Sequence, residues 1–260
     1  MMEIRVLGCH GSQLPGCGLT SFLIDGTTLV DAGAVTSVLA LEEQARVEHI
    51  LVTHAHLDHI RELSSLADNL CYFRRGTPLW VVAPEGVIAQ LRKHIFNGAI
   101  WPDFSAIPSA ENPVLRFMAV RPGEASSLGH LRVTAIPVHH TVETVAYVVD
   151  AGTGSGAPAA VFIGDTGPTD EVWAVAGQDR VRAVFVETSL PGELGDLARL
   201  TGHLTPADLA AELGKLGRAN QPQIYLYHMK IQYLNEIQQE ISLLGNVNIH
   251  VLSDGQVIRI

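Results

Sequence analysis

A segment with the sequence THAHLDH begins at Thr53 and places three imidazoles and a carboxylate within a few residues of one another. It follows a strongly apolar run and precedes helical periodicity, which predicts a strand-to-helix loop. Burying so many polar groups without partners would cost several kcal/mol each. Because His54 and His56 are two residues apart, both rings can lean the same way from an extended strand end. Asp58 and His59 lie one turn further on and can face a second centre. The segment therefore predicts a site for two metal ions.

Further ligands must come from the ends of later strands. Apolar runs end at additional candidate ligands, which are His139, His140, Asp165 and His228. A carboxylate can hold two cations together where an imidazole cannot, so a position shared by two metals requires a residue such as Asp165. The spacing alone leaves open which of the two adjacent histidines is a ligand.

This pattern resembles the metallo-β-lactamase superfamily, in which the first two histidines of HxHxDH bind one metal and its Asp and last His bind the other. The segments Leu7–Gly11, Thr20–Ile24 and Leu29–Gly33 are similar as well, so the resemblance runs along nearly the whole chain. It implies that Asp31 lies behind the site and orients metal-bound histidines. Apart from the resemblance, Asp31 could equally be an ordinary turn carboxylate.

The resemblance also implies the ligand set. The family's third histidine is followed by small residues and a Gly-Tyr or similar pair, and matching Ala146-Tyr147 to that pair favours His140 over His139. One centre would be held by His54, His56, His140 and Asp165, and the other by Asp58, His59, Asp165 and His228. Zinc is the expected metal, although iron and manganese also accept these ligands.

Charge indicates a substrate class for such a centre. Two dications and two aspartates leave two positive charges before a hydroxide binds and one afterwards, because ligating imidazoles are neutral. A singly charged phosphodiester suits this balance. Metals roughly 3.5–4 Å apart can bind a substrate oxygen, activate a bridging hydroxide and take up charge on the leaving oxygen.

Two more segments resemble the phosphodiesterase branches of the superfamily. Glu187 follows an apolar strand, and His203 lies in the sequence GHLTP, in which Thr205 and Pro206 predict a helix start. In those branches a His–Glu pair assists proton transfer to the leaving oxygen, and an alkoxide leaving group requires such a proton. The predicted catalytic residues are therefore Asp58, His203 and Glu187. A capping histidine and an edge glutamate are the alternative interpretation.

Two branches share these elements, the tRNA 3′-processing ribonucleases and the class II cyclic-nucleotide phosphodiesterases. The segments GHLTP at Gly202 and HMK at His228 favour the second branch. The ribonuclease carries a long arm between its third histidine and its bridging aspartate, whereas only a hairpin separates His140 from Asp165 here. Some positions depart from the class II pattern, and these are Arg61, Glu62 and Ile231.

The leading hypothesis is hydrolysis of 3′,5′-cyclic nucleotides (cAMP or cGMP) to nucleoside 5′-monophosphates through a hydroxide that bridges the metals. The alternatives are a tRNA 3′-processing-type ribonuclease, a metallo-hydrolase of carboxylic esters, lactones or thioesters, and a non-catalytic module that kept the fold. Trp101, Phe104 and Tyr72 could stack a base, although core packing explains each of them as well. The run 97–113 is expected to be a loop near the pocket or a contact with a second subunit.

Composition limits the remaining possibilities. The chain is 47% hydrophobic and 17% charged, which indicates a globular protein, and its net charge of −10 disfavours a long nucleic acid as partner. The densest basic group is Arg74-Arg75. No apolar run is long enough to cross a bilayer, and no secretion signal is recognisable at the start. Three cysteines, predicted to be buried thiols, suggest the cytoplasm. A homodimer is the default expectation for such an enzyme.

The order of predicted elements indicates an α/β fold. Strands fall into two groups, each followed by helices, which predicts a single domain over 1–260 with two mixed sheets packed together and helices outside, a four-layer αββα sandwich. Within it we predict a helix over Val35–Ala45 and a strand over Val142–Val149. The Gly-rich stretch 151–158 should form a hairpin loop.

Overall fold

A computed structural model describes residues 1–73, 76–152, 154, 156–217, 221–245 and 248–260. The first sheet contains β1 (Glu3–Gly8), β2 (Ser21–Ile24), β3 (Thr28–Val30), β4 (His49–Leu51), β5 (Leu79–Ala83), β6 (Leu115–Ala119) and β14 (Val257–Arg259). The second contains β7 (Ala125–Leu128), β8 (Leu131–Pro137), β9 (Val145–Asp150), β10 (Ala159–Phe162), β11 (Val181–Glu187), β12 (Gln223–Tyr227) and β13 (Ile249–Val251). The helices are α1 (Leu41–Gln44), α2 (Leu57–Ile60), α3 (Leu63–Phe73), α4 (Glu85–His94), α5 (Glu171–Ala176), α6 (Gly195–Thr201), α7 (Pro206–Leu213) and α8 (Leu234–Leu243).

Both sheets are mixed. The first has the order β14-β1-β2-β3-β4-β5-β6, antiparallel from β14 to β3 and parallel from β3 to β6. The second has the order β13-β12-β11-β10-β9-β8-β7, parallel from β13 to β10 and antiparallel from β10 to β7. Parallel strands bring their carboxyl ends to one edge of a sheet, and ligands in open α/β sheets bind at such edges.

The two sheets pack face to face through an apolar cluster. Phe22 of the first sheet lies with its ring centroid 5.4 Å from Phe162 and 5.3 Å from Phe185 of the second. Side chains alternate along a strand, so Leu51 enters this central cluster while its neighbour Ile50 points outward into a second cluster.

Helices cover both outer faces. The second cluster joins the first sheet to α3 and α4, and a third cluster joins the second sheet to α5, α7 and α8. The predicted α/β sandwich of two mixed sheets with helices outside is confirmed. No helix in the described part of the chain combines the length and apolar character needed to span a membrane.

One buried tyrosine joins the sheets by hydrogen bonding as well as by packing. The hydroxyl of Tyr147, on β9, lies 3.0 Å from the carbonyl oxygen of Val52 and 3.1 Å from that of Val82. Val82 lies on β5 and Val52 directly follows β4, so both carbonyl groups belong to the first sheet. A buried hydroxyl needs such a partner, and this one fixes the distance between the layers just below the site.

Two predicted elements differ from the structure. The helix predicted over Val35–Ala45 is reduced to α1, because Ala40 is extended (φ −63°, ψ 159°) and separates α1 from a single turn at 35–39. The Glu62 carboxylate holds that turn by accepting hydrogen bonds from the backbone N–H groups of Val35 (2.6 Å) and Ser37 (3.0 Å). The strand predicted from Val142 begins at Val145 instead. Arg74-Arg75 lie outside the described residues.

Candidate metal centre

The predicted ligands converge at the carboxyl ends of the central strands. The loop after β4 carries His54 to His59, and later strand ends or loops of the second sheet supply the others. Ligand atoms lie within 4.8 Å of one another in each of three groups: His54, His56, His140 and Asp165; Asp58, His59 and His228; and Asp165, His203 and His228. Within the first group, Nε2 of His140 approaches Nδ1 of His56 to 3.3 Å.

Asp165 lies between the groups. Its Oδ1 is 3.3 Å from Nε2 of His59, and its Oδ2 is 3.8 Å from Nε2 of His54 and 3.3 Å from Nε2 of His228. The side chain is buried, and Gly164 before it packs closely against Thr53. One carboxylate therefore faces the histidines of both groups, as the prediction of a shared ligand requires.

Unsatisfied polar atoms show that this cluster fits metal ions. His54 Nε2, His59 Nε2 and Asp165 Oδ1 are buried, and none has a hydrogen-bond partner in the described chain. His59 Nε2 is close to Asp165 Oδ1, but the contact lacks hydrogen-bond geometry. A buried polar atom left unpaired costs about 1–3 kcal/mol. Three of them converging among imidazoles and carboxylates match the nitrogen and oxygen donors that zinc, iron and manganese accept.

A carboxylate supports the histidines of the first sheet from behind. Nδ1 of His59 lies 2.7 Å from Oδ2 of Asp31, which directs Nε2 towards Asp165. Asp31 also accepts from the backbone N–H of Thr53 (2.8 Å) and from its hydroxyl, and that hydroxyl lies 3.0 Å from Nδ1 of His54. Asp31 thus has the position expected of it, and Thr53 has an orienting contact that the sequence analysis did not identify.

A serine has the corresponding position in the second sheet. The Ser189 hydroxyl lies 2.5 Å from Oε2 of Glu187 and 2.8 Å from Nδ1 of His228. In the tautomer that can bind a metal, Nδ1 of His228 carries the proton and donates to Ser189, and Ser189 donates to Glu187. Nε2, which lies 3.2 Å from Oδ2 of Asp58, then has a lone pair for a metal in place of that hydrogen bond. Sequence analysis missed Ser189. The available signal was its position two residues after Glu187, on the same side of an extended strand end.

His140 is oriented by backbone geometry. Its Nδ1 lies 2.8 Å from the carbonyl oxygen of Gly202. Gly202 has φ 68°, and a Cβ atom there would lie 2.9 Å from Nδ1 of His140, so both the backbone conformation and the space require glycine. The neighbouring His139 is exposed and belongs to none of the three groups. The structure therefore brings His140, and not His139, to the cluster.

The Glu187–His203 pair lies directly beside the cluster. Nδ1 of His203 is 2.7 Å from Oε1 of Glu187 and 3.9 Å from Oδ2 of Asp165. Burial lowers the pKa of His203, but the negative charge of Glu187 and the hydrogen bond to it outweigh burial and raise the pKa above its ordinary value. His203 is thus prepared to carry a proton near Asp165.

The pKa values of three other side chains in the site are shifted in different directions. Burial and the neighbouring His59 hold the pKa of His54 well below its usual value, which favours the neutral imidazole that binds metals. Burial raises the pKa of Asp58, but the hydrogen bond from His228 and nearby histidine charges reverse this and keep it low, so Asp58 is an anionic ligand candidate. Burial opposes the charged form of His59, yet Asp165 and Asp31 raise its pKa. Metal binding must therefore displace its proton.

An apolar cavity of about 540 Å³ adjoins the cluster at His56. Its walls come from α4 with Ile95, from Val142 and Glu143, and from residues 55–57 and 60. Ligand cavities commonly measure roughly 300–1,000 Å³. The aromatic candidates are elsewhere: Phe104 is buried in the core, Trp101 packs against the same core, and Tyr72 is 77% exposed on α3.

Asp254 holds the loop between β1 and β2 in place beside His228, and we call its contacts with Cys9 and Gly18 the Asp254 clamp. Asp254 accepts from the backbone N–H groups of Cys9 (3.0 Å) and Gly18 (2.6 Å), and the Cys9 thiol lies 3.2 Å from the same carboxylate. The carbonyl oxygen of Cys9 accepts from the backbone N–H of His228 at 2.7 Å. Cys9 is a buried free thiol, whereas Cys17 and Cys71 are half-buried.

Comparisons with known proteins agree with this architecture. The model of the beta-lactamase superfamily domain matches residues 22–229. A probable 3′,5′-cyclic-nucleotide phosphodiesterase from Yersinia pestis is 29% identical over 257 residues, covering 82% of this chain and 72% of the relative. A ribonuclease Z from Kineococcus radiotolerans is 26% identical over 284 residues, covering 90% of this chain and 86% of the relative.

The fold is also similar to that of a solved phosphodiesterase. Unliganded yeast PDE1 superposes with a TM-score of 0.82 at 19% identity, over 98% of both chains. A superfamily model that matches most of the chain, together with the paired mixed sheets, establishes that the chain belongs to the beta-lactamase superfamily.

Proposed function

We propose that this protein is a metal-dependent phosphodiesterase that hydrolyses 3′,5′-cyclic nucleotides to nucleoside 5′-monophosphates. The observation that carries the proposal is the Glu187–His203 pair, held 2.7 Å apart at the edge of the histidine cluster. Hydrolysis of a cyclic phosphodiester needs a proton donor for the departing 3′ oxygen, and this pair supplies one. The similarity to a probable cyclic-nucleotide phosphodiesterase supports the same conclusion.

The residues proposed to hold two divalent ions are those of the first two groups, with Asp165 shared between them. They are His54, His56, His140, Asp58, His59, His228 and Asp165. Ions bound there would supply Lewis acidity for the phosphodiester and for water. Zinc fits the predominance of imidazole nitrogen, and iron or manganese would also be accepted.

The chain's own groups account for the proton transfers. Glu187 holds Nδ1 of His203, so the remaining ring nitrogen, Nε2, is the atom that can donate to the 3′ oxygen. Overall, one water is consumed: its hydroxyl is added to phosphorus, the bond from phosphorus to the 3′ oxygen breaks, and that oxygen gains a proton. The 5′ ester stays intact, which defines the 5′-monophosphate as product.

Three features favour a small substrate over a precursor tRNA. Strands β9 and β10 pair from Asp150 with Ala159 to Tyr147 with Phe162, so the chain joining them is limited to residues 151–158. This leaves no room for the long arm that resemblance assigns to the ribonucleases. The net charge of −10 opposes a polyanion, and the cavity beside His56 has the size of a small ligand site.

A substrate comparison with a matched pair of variants tests the proposal. Purified protein is supplied with zinc or manganese and offered cAMP, cGMP, a precursor tRNA and a thioester. We expect turnover of a cyclic nucleotide that falls by at least about 100-fold in His140→Ala and stays within about twofold in His139→Ala, because only His140 lies in the cluster.

Other outcomes would overturn the proposal. Robust cleavage of tRNA without turnover of cyclic nucleotides would establish the ribonuclease alternative instead. Thioester or lactone hydrolysis that survives a double alanine substitution of Glu187 and His203 would establish a carboxylic-ester hydrolase.

A further inference from the structure

The cavity beside His56 has one polar wall. Most of its lining is aliphatic, but Gln90 and His94 contribute hydrogen-bonding side chains from α4, and Glu143 contributes a carboxylate from the loop that packs against Gly86 of that helix. Gly86, Gln90 and His94 are spaced four residues apart and therefore share one face of the helix. The polar groups consequently line one side of a space that elsewhere suits a flat apolar ring system.

Gly86 makes room for the carboxylate. A Cβ atom at Gly86 would lie 2.0 Å from Oε2 of Glu143, and the three nearest atoms to it all belong to that carboxyl group. Glu143 is exposed to solvent and, within the described residues, engages in no side-chain hydrogen bond or ion pair. It thus presents two free acceptor oxygens at the cavity wall, beside the positive end of α4.

A carboxylate in this position discriminates between nucleobases. Guanine presents two adjacent donors, N1–H and the 2-amino group, which match the two oxygens of one carboxylate. Adenine presents a single amino group beside the N1 acceptor, which would face an anionic oxygen without a proton between them. Cytosine has the same disadvantage, and uracil has one N–H between two carbonyls.

On the basis of the proposed function, we infer that Glu143 selects guanine, so that the preferred substrate is 3′,5′-cyclic GMP. The aliphatic lining contacts the faces of the purine, and the amide of Gln90, one turn along the same wall as Glu143, can donate to O6, the acceptor next to N1–H. Glu143 acts as a specificity-determining residue and takes no part in the bond-breaking step.

Kinetics with three substrates and three variants test this inference. For the wild-type protein we expect kcat/KM to fall in the order cyclic GMP, cyclic IMP, cyclic AMP, because IMP keeps N1–H but lacks the 2-amino group. Glu143→Gln should reduce the ratio of cyclic GMP to cyclic AMP by about 10- to 100-fold, the effect of losing a charge-assisted bidentate contact.

A second variant moves the same carboxylate without removing it. Gly86→Ala should displace the flexible Glu143 side chain and lower the ratio in the same direction, while the helix and the metal content remain intact. Glu85→Gln removes a charge from the neighbouring residue, which does not line the cavity, and should leave the ratio unchanged.

The two proposals fail in distinguishable ways. Turnover of cyclic nucleotides with a ratio that neither Glu143→Gln nor Gly86→Ala alters would overturn the guanine inference alone. Should no cyclic nucleotide be hydrolysed, the proposed function fails and with it the assignment of cyclic GMP as substrate, but calorimetric binding of GMP and AMP still decides whether Glu143 selects guanine. Preferential GMP binding that is lost in Glu143→Gln supports it, and equal binding of both nucleotides refutes it.

Discussion

The two sheets build their halves of the site in different ways. In the first sheet, one loop after β4 supplies His54, His56, Asp58 and His59, and a single carboxylate, Asp31, lies behind them. In the second sheet, the corresponding groups come from separate strand ends and loops, which carry His140, Asp165, Glu187, His203 and His228. The first half is a local feature of the chain, whereas the second exists only when several strands are in register.

The supporting contacts differ as well. Asp31 gives His59 a charged partner, while Ser189 gives His228 a neutral one. Hydrogen bonds to ionised partners are roughly twice as strong as neutral ones. The local half of the site should therefore depend more heavily on its support than the distributed half does.

Asp165→Asn tests the residue that joins the two halves and should have the largest effect. We expect kcat to fall by at least about 10³-fold and metal content to fall from two ions to one or none, because an amide cannot bridge two cations. Activity assays and elemental analysis measure both effects. Asp150→Asn, which alters a carboxylate paired with Arg180 away from the site, is the matched control. Retention of two ions with near-normal activity would contradict a bridging role.

His203→Ala should lower kcat by about 10²- to 10⁴-fold, the usual contribution of a general acid. A substrate with a p-nitrophenolate leaving group, which needs no proton, should lose far less. An equal loss on both substrates would place His203 in ligand positioning and not in proton transfer.

The dependence of the rate on pH tests the same role of His203 as a general acid. A general acid is active below its pKa and loses activity as pH rises through it. Glu187 raises the pKa of His203, so Glu187→Gln should move the alkaline limb of the profile to lower pH. Rate measurements against pH, at saturating metal, check this sign, and an unmoved limb would refute it.

Asp31→Asn and Ser189→Ala compare the supports of the two halves directly. We expect Asp31→Asn to weaken metal affinity by about 10- to 100-fold and Ser189→Ala by about 10-fold or less. Metal titration in a chelator-buffered series measures both. The reverse order would mean that the neutral support of His228 matters more than the charged support of His59.

Tyr147→Phe tests the contact between the layers and should have the smallest effect on activity. Loss of its hydroxyl should reduce the free energy of unfolding by about 1–2 kcal/mol, since the carbonyls of Val52 and Val82 lose the single buried O–H that they share. Denaturant unfolding measures the change, with the exposed Tyr72→Phe as a neutral reference. Unchanged stability would show that the hydroxyl contributes nothing to holding the sheets together.

The contrast between the halves also explains what could be predicted from sequence. HxHxDH, Asp165 and His228 were identifiable because ligand types follow apolar strand ends, and the sandwich followed from the order of elements. The contacts of Ser189 with His228 and of the Gly202 carbonyl with His140 were not identified, because a hydroxyl and a backbone carbonyl carry no ligand signature and depend on tertiary contacts.

Other errors have the same tertiary origin. The helix predicted over Val35–Ala45 is interrupted at the extended Ala40, and Glu62, distant in sequence, holds the turn that precedes it. The predicted stacking residues Tyr72, Trp101 and Phe104 do not line the cavity, and most of its lining is aliphatic. Sequence could not show this, because α4 and the loop at Glu143 meet only in the folded chain.

The Asp254 clamp has a consequence for the order in which parts of the chain fold. Asp254, between β13 and β14, accepts from the backbone N–H of Cys9, and the Cys9 carbonyl accepts in turn from the backbone N–H of His228. Strand β14 itself pairs with β1. Because Asp254 lies 245 residues from Cys9 in sequence, the loop that follows β1 gains this anchor only after β14 has folded back onto β1. The backbone of His228 should therefore reach its final position late in folding.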